Sequence, residues 1–348
     1  MDYKILQEFP SPDLEWQWRD YLTRVEFPSH YDAPEFFLEP LWPGKQRFAV
    51  LAVENGRIAG TLTGMHSGKH AMCGVSSRPQ INVEKDGNIE QILDALARGL
   101  LEESRSAELV SVYTWPWLKL PAFSELGFRS HELPGGNVVL DLTMGAEALF
   151  KQFTKDRRRN IRFAEKNGVE VSEVSTDQDI SDAYAVQSAW RETQRKTVIG
   201  AKLSFESFRQ VVALRGNRRI FIARVAGKAI ATNGFRFYLG GLFESSSNSS
   251  LEEFMHLKPN DLLQWRGIEW ACQNGLRRHS LGASHQFLMR FGGTVIPILH
   301  YRLDRTWLRR HDLSDKVKTA SLRVVRELPP SVETNLRKLT AKQKTSRS

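Results

Sequence analysis

The 348-residue chain carries 49 Lys and Arg against 40 Asp and Glu, a net charge of +9, with 41% hydrophobic and 26% charged residues. This is the composition of a globular chain of about two domains, which excludes disordered and collagen-like proteins. The two cysteines, Cys73 and Cys272, are too far apart in sequence to suggest a metal clip or a disulfide scaffold and are expected to be small buried side chains.

No apolar run approaches the ~18 residues of a membrane span, and the opening segment MDYKILQEFPSPDLEWQW lacks the apolar core of a signal peptide, so a soluble cytoplasmic protein is expected. The charge is uneven: residues 1–150 are net −8, residues 151–304 net +9 and residues 305–348 net +8. The second half is therefore the part expected to meet a polyanion such as a nucleotide cofactor, a tRNA or an anionic membrane face.

In chain order, residues 46–75 read as a three-stranded antiparallel meander, punctuated by Asn55-Gly56 and Gly68. A helix follows behind Asn88, with Ile92, Leu93, Leu96, Leu100 and Leu101 on one face, then a strand at 109–115. A short helix ends in Leu126-Gly127-Phe128, and a closing strand runs over 137–142. Helices are expected at 146–167, 178–193 and 204–214. A second meander then spans 220–225, 229–238 and 242–248.

Asn260 or Asp261 is expected to cap the next helix, in which Gly267 and Ala271 allow a close approach to the sheet, and Gly275 stops it. Strands at 277–282 and, behind Phe291-Gly292-Gly293, at 294–304 complete the order. The β-β-β-α-β-α-β order thus occurs twice, and two copies of one α/β unit account for it.

The repeated order and the Leu-Gly-Phe mark resemble the acyl-CoA N-acyltransferase (GNAT) fold. The stretch KDRRRNIRFAEKNGVEV (155–171) and the segment LKPNDLLQWRGIEWACQNGLRRHSLGASHQFLMRFGG (257–293) are similar to the Fem peptidoglycan aminoacyltransferases and to the cellulose-biosynthesis-type (BioF2-like) acetyltransferases. The resemblance implies an α/β fold with mixed sheets, built as tandem GNAT-like units over 1–145 and 146–305, with a basic extension at 306–348 whose end is disordered.

It also implies an acyltransferase with an amine acceptor, such as an envelope or polysaccharide precursor. The donor is an acyl-CoA acting as co-substrate, or alternatively an aminoacyl-tRNA. A third reading is a GNAT-like protein that binds without catalysis. Relatives carry an Asp where Ser280 stands and a Lys near Leu288-Met289, so catalytic identity does not transfer at those positions. The Gly-rich turn that holds CoA pyrophosphate in many GNAT enzymes is replaced by Met255-His256-Leu257-Lys258-Pro259-Asn260-Asp261.

Acyl transfer to an amine needs a neutral nucleophile, donors for an oxyanion and a proton for the leaving group. In this fold the exposed edges of two splayed strands supply the oxyanion contact, and no nucleophilic Ser or Cys is needed. Glu244, on the third strand of the second meander, is the candidate general base; the alternative is a strand-end carboxylate facing solvent.

Ser284 and His285, past the strand ending at Gly282, are candidates for base or proton donor. His256, Lys258 and Asn260 are candidates for phosphate contact at the helix start, as are Arg158 and Arg162 on the basic helix. The nine scattered histidines offer no metal-ligand spacing, so no metal site is expected. The tail, with Leu313, Val317, Leu322 and Val325 at helical spacing, suits docking at an anionic surface, either tRNA or lipid, and the latter would place the protein at the inner membrane face.

Overall fold

A computed structural model describes residues 1–40, 44–75, 78–193, 203–214, 216–315 and 317. The predicted disordered end and most of the predicted tail helix lie outside the described residues. Strands β1 (Asp2–Leu6), β2 (Gln46–Glu54), β3 (Arg57–Ser67), β4 (His70–Cys73), β5 (Ile81–Val83), β6 (Leu109–Thr114) and β7 (Arg129–Asp141) belong to the first half. Strands β8 (Val169–Glu173), β9 (Arg218–Val225), β10 (Lys228–Phe237), β11 (Leu242–Ser250), β12 (Arg278–Ala283) and β13 (Thr294–Asp304) belong to the second.

The helices are α1 (Pro12–Thr23), α2 (Ile89–Glu103), α3 (Pro121–Glu125), α4 (Ala146–Gln152), α5 (Lys155–Lys166), α6 (Asp177–Thr193), α7 (Phe205–Ala213), α8 (Pro259–Gln273) and α9 (Gln286–Met289). Both meanders and both crossing helices stand where the sequence predicts them. Strands β1 and β5 and helix α1 were not foreseen. None of the described helices is long and apolar enough to cross a membrane.

All thirteen strands join one mixed sheet in the order β1-β2-β3-β4-β6-β13-β7-β12-β11-β10-β9-β8, with β5 branching from β3. Each meander is antiparallel, and the crossing helix returns the chain to a parallel partner: β4 with β6, and β11 with β12. The closing strands are exchanged. β7, from the first repeat, lies against β12, while β13, from the second, lies against β6, and β7 and β13 pair with each other. The sheet thus runs through both repeats without a break.

Two large cores flank the sheet, and a small cluster of Trp115, Val139, Leu242 and Ile298 joins the two halves. In the first, α2 lays Ile92, Leu96 and Leu100 over Phe48, Val50 and Leu62. In the second, α5 and α8 cover Phe221, Ala223, Phe235 and Phe243, while α6 and α7 cover Ile220 and Ile222 on the opposite face. Gly267 makes the α8 contact possible, because a Cβ there would lie 2.3 Å from the Phe235 ring.

Helix α8 begins two or three residues earlier than predicted, with Lys258 in place of Asn260 or Asp261 as its cap. Lys258 adopts the left-handed conformation at the N-cap, Pro259 opens the helix, and Asp261 is turned inward to pair with Arg157 of α5. Arg157 also donates to Phe287 O at 2.9 Å and stands over the Phe287 and Phe291 rings, so one buried guanidinium ties α5, α8 and α9 together. Cys73 is buried and Cys272 half-buried, and both are free thiols.

Candidate functional site

Strands β11 and β12 are paired over three residues only, Leu242 to Glu244 against Arg278 to Ser280. Beyond that point β12 turns to follow β7, while β11 continues along β10 as far as Ser250. Opposite Gly234 and Phe235, Ser246 is an extra residue in the β11 register, a bulge that bends the strand away from its former neighbour. Gly234 leaves room there for the two hydroxyls, since a Cβ would lie 2.6 Å from Ser247 Oγ and 2.9 Å from Ser246 Oγ.

The parting of the strands opens a groove of about 760 Å³. Four consecutive residues, Ser245 to Asn248, line it. Neighbours in a strand point to opposite faces, so the groove wraps the open edge of β11 and reaches both sides of the sheet. Trp190 and Thr193 of α6 and Met255, His285 and Phe287 form its walls.

Its floor is a polar network beneath α8. Asn233 Nδ2 donates to Gln264 Oε1 at 3.1 Å, and Gln264 Nε2 lies 3.4 Å and Ser245 Oγ 3.2 Å from His279 Nε2. Ser245 Oγ also donates to Gln264 Oε1 at 3.4 Å. Burial lowers the His279 pKa to about 3, which keeps the ring neutral and available to hold the Ser245 hydroxyl.

On the other face, Glu244 is only 2% exposed, which excludes the solvent-facing alternative. It stands directly across from Arg236, and Arg236 across from Arg218, in a ladder along three strands. Glu39, from the first half, pairs with Arg218 and lies 3.0 Å from the ring of buried His30. The Tyr31 ring lies between two guanidiniums, 5.1 Å from that of Arg236 and 5.5 Å from that of Arg78, and its hydroxyl accepts from Arg78 at 2.7 Å. Desolvation raises the Glu244 pKa, while Arg236, Arg78 and Arg218 pull it back. A carboxylate held in this way is suited to take a proton.

Of the residues singled out in the sequence, His285 and Asn260 line the groove, the latter with its Nδ2 3.1 Å from Ser250 Oγ. Glu244 lies beside the groove on the opposite face. Ser284 is half-buried at the β12 turn, where its amide donates to Gly136 O at 3.0 Å. The other four stand apart from the groove lining. His256 is exposed, with Nδ1 2.9 Å from Glu253 O, and Lys258 is an exposed cap residue. Arg158 donates to the Lys151 and Phe153 carbonyls at the end of α4, and Arg162 lies over Phe150.

Sequence reasoning did not pick out Ser245 to Asn248, Asn233, Gln264, His279, Tyr31, Arg78, Arg218 or Arg236. The run Glu-Ser-Ser-Ser-Asn-Ser-Ser, a strand with no apolar alternation, was the available signal for an unpaired edge.

A meander, a crossing helix, a bulged strand and its parted partner together define the GNAT fold, complete in the second half, while the first half repeats its order of elements. The sequence agrees: residues 151–291 match the family model described as an acetyltransferase (GNAT) domain. Among solved structures, the chain is similar to FemX (TM-score 0.66, 12% identity, covering 87% of this chain and 97% of that one). It is also similar to L-PGS from Bacillus licheniformis (TM-score 0.60, 13% identity, 87% and 95%). A third is the tandem GNAT protein from the clavulanic acid biosynthesis pathway (TM-score 0.54, 13% identity, 88% and 99%). No curated protein sequence matches the chain. The expected tandem GNAT-like fold is thereby borne out, and the likeness to FemX is one of fold.

Proposed function

We propose that the protein transfers an acyl group from an acyl-CoA to an amine, with the thioester lying in the β11–β12 groove. The observation that carries this reading is the open edge of β11, which sets backbone amides and the serines from Ser245 onward along a groove crossing the sheet. In this scheme Glu244 removes a proton from the amine, and the nitrogen attacks the carbonyl carbon. The open strand edge stabilises the oxyanion, and the carbon–sulfur bond breaks as the amide bond forms. The thiolate takes up a proton from the side of His285 or from solvent.

The rival donor is an aminoacyl-tRNA, which the Fem resemblance implies and the net +9 of residues 151–304 favours. A thermal-unfolding titration with CoA, acetyl-CoA and a long-chain acyl-CoA, with total tRNA as a parallel arm, separates the two. A donor at about 100 times its Kd adds roughly 2.7 kcal/mol of apparent stability. A shift with CoA that survives moderate salt supports the thioester reading. A salt-sensitive shift with tRNA alone moves the assignment to aminoacyl transfer. CoA binding without turnover on any amine would leave a binding protein.

A further inference from the structure

The ladder on the Glu244 face holds buried charged groups that do not close on one another. Arg218 is paired with Glu39, but Nε and Nη1 of Arg236 have no hydrogen-bond partner, and neither does Oε2 of Glu244. Both residues are almost wholly buried, at 3% and 2% exposure. Buried guanidiniums and carboxylates in a self-contained structural cluster close on each other, because an unmet buried charge is costly. Here Glu244 and Arg236 face one another in register without doing so.

Opposed residues of an antiparallel pair set their Cβ atoms about 5 Å apart, so a proton acceptor and an anion receptor stand side by side. Arg78, half-buried beside Tyr31, forms the more open rim of the same cluster.

We propose that Arg236, with Arg78 and Tyr31, is the acceptor's anion site, and that the acceptor carries a carboxylate next to its amine, as a free amino acid or an amino-acid end group does. This rests on the acyl-transfer reading of the site. The amine meets Glu244 while the carboxylate accepts from one edge of the unmet Arg236 guanidinium. The planar guanidinium gives paired donors in the geometry a carboxylate matches. The narrow spacing of the two receptors disfavours acceptors whose amine and anion are far apart.

The test uses the full chain and reads binding rather than turnover. Thermal unfolding is followed with amino acids, with their amides and with phosphoethanolamine, with and without saturating CoA. The expected result is half-saturation by at least one free acid at a concentration ~10-fold or more below its matched amide, with the preference lost in Arg236→Gln. Equal response to acid and amide, or no carboxylate-dependent shift, overturns the proposal. A response to phosphoethanolamine alone overturns the carboxylate assignment. The acid–amide comparison on the unaltered protein stands even if Arg236→Gln fails to fold. A failure of the acyl-CoA reading shows in the CoA titration and leaves the acid–amide comparison intact.

Discussion

The two repeats share an order of elements and differ at one strand. In the second, β11 runs on for six residues past its last pairing with β12, and the groove forms along that free edge. In the first, β4 stops at Cys73, and Gly74 turns the chain, its amide donating to the Gln80 side chain. The chain then returns as β5 to pair with β3 at Gly60 to Leu62. The neighbouring side chains there, Phe48, Leu62 and Cys73, are part of a closed apolar core. One copy of the fold has spent its strand edge on hydrogen bonds and the other has kept it, which is why the proposed chemistry belongs to the second.

The largest expected effect concerns what fastens each crossing helix. Helix α2 is held by apolar packing, whereas α8 depends on the buried Arg157–Asp261 pair. Arg157→Ala should cost about 3–5 kcal/mol in denaturant unfolding, since it strands a buried carboxylate. A loss below 1 kcal/mol would show that the two helices are fastened alike.

Next comes the base. Glu244→Gln should lower kcat at least ~100-fold with the fold retained. Met72→Gln, at the same third position of the β4–β6 register, should change kcat less than ~2-fold. Similar losses from both would erase the functional difference between repeats.

Smaller effects follow from the glycines. Gly60→Ala would place a Cβ 2.4 Å from Ile92 and Gly234→Ala one 2.6 Å from Ser247 Oγ. The first should cost about 1–3 kcal/mol of stability by overpacking, with turnover unchanged. The second should raise the donor KM several-fold at little cost in stability, since the atoms it meets are movable hydroxyls.

The smallest effect is a pH response shared by both sides. Asp179, fed by the Ser175 and Thr176 amides and by Arg224, and Asp304, fed by Thr306 and Asp312, both titrate at about 2 when folded. Because these pKa values are depressed, each contributes stability above the ordinary carboxylate range near pH 4 and loses it as pH falls toward 2. The loss should be about 1 kcal/mol each, measured by unfolding at stepped pH, and absent at the altered site in Asp179→Asn or Asp304→Asn.

Much of the fold was legible because its signals are local. Asn55-Gly56 and Ala226-Gly227 mark hairpins, and Gly267 marks the close approach of α8. The closing-strand exchange was not legible, since nothing local to Arg129–Asp141 says whether it will lie against β6 or β12. The site divides in the same way. Glu244 was recognisable from its place on the third strand, but the partners that define its environment come from positions 31, 78, 218 and 236 and meet only through tertiary structure. His256, Lys258, Arg158 and Arg162 looked suited to phosphate by charge and spacing, yet they cap helices or stand exposed away from the groove.

The exchange of closing strands also has a consequence during synthesis. β6 and β7 leave the ribosome long before β12 and β13 exist, and β7 waits for roughly 140 further residues before its partner is made. At ~5–20 residues per second the wait is on the order of ten seconds, during which the nascent first half exposes unpaired apolar strand edges. Such a chain has reason to recruit a holding chaperone before its second half emerges, and a ribosome stalled near residue 145 would release an aggregation-prone fragment in place of a finished domain.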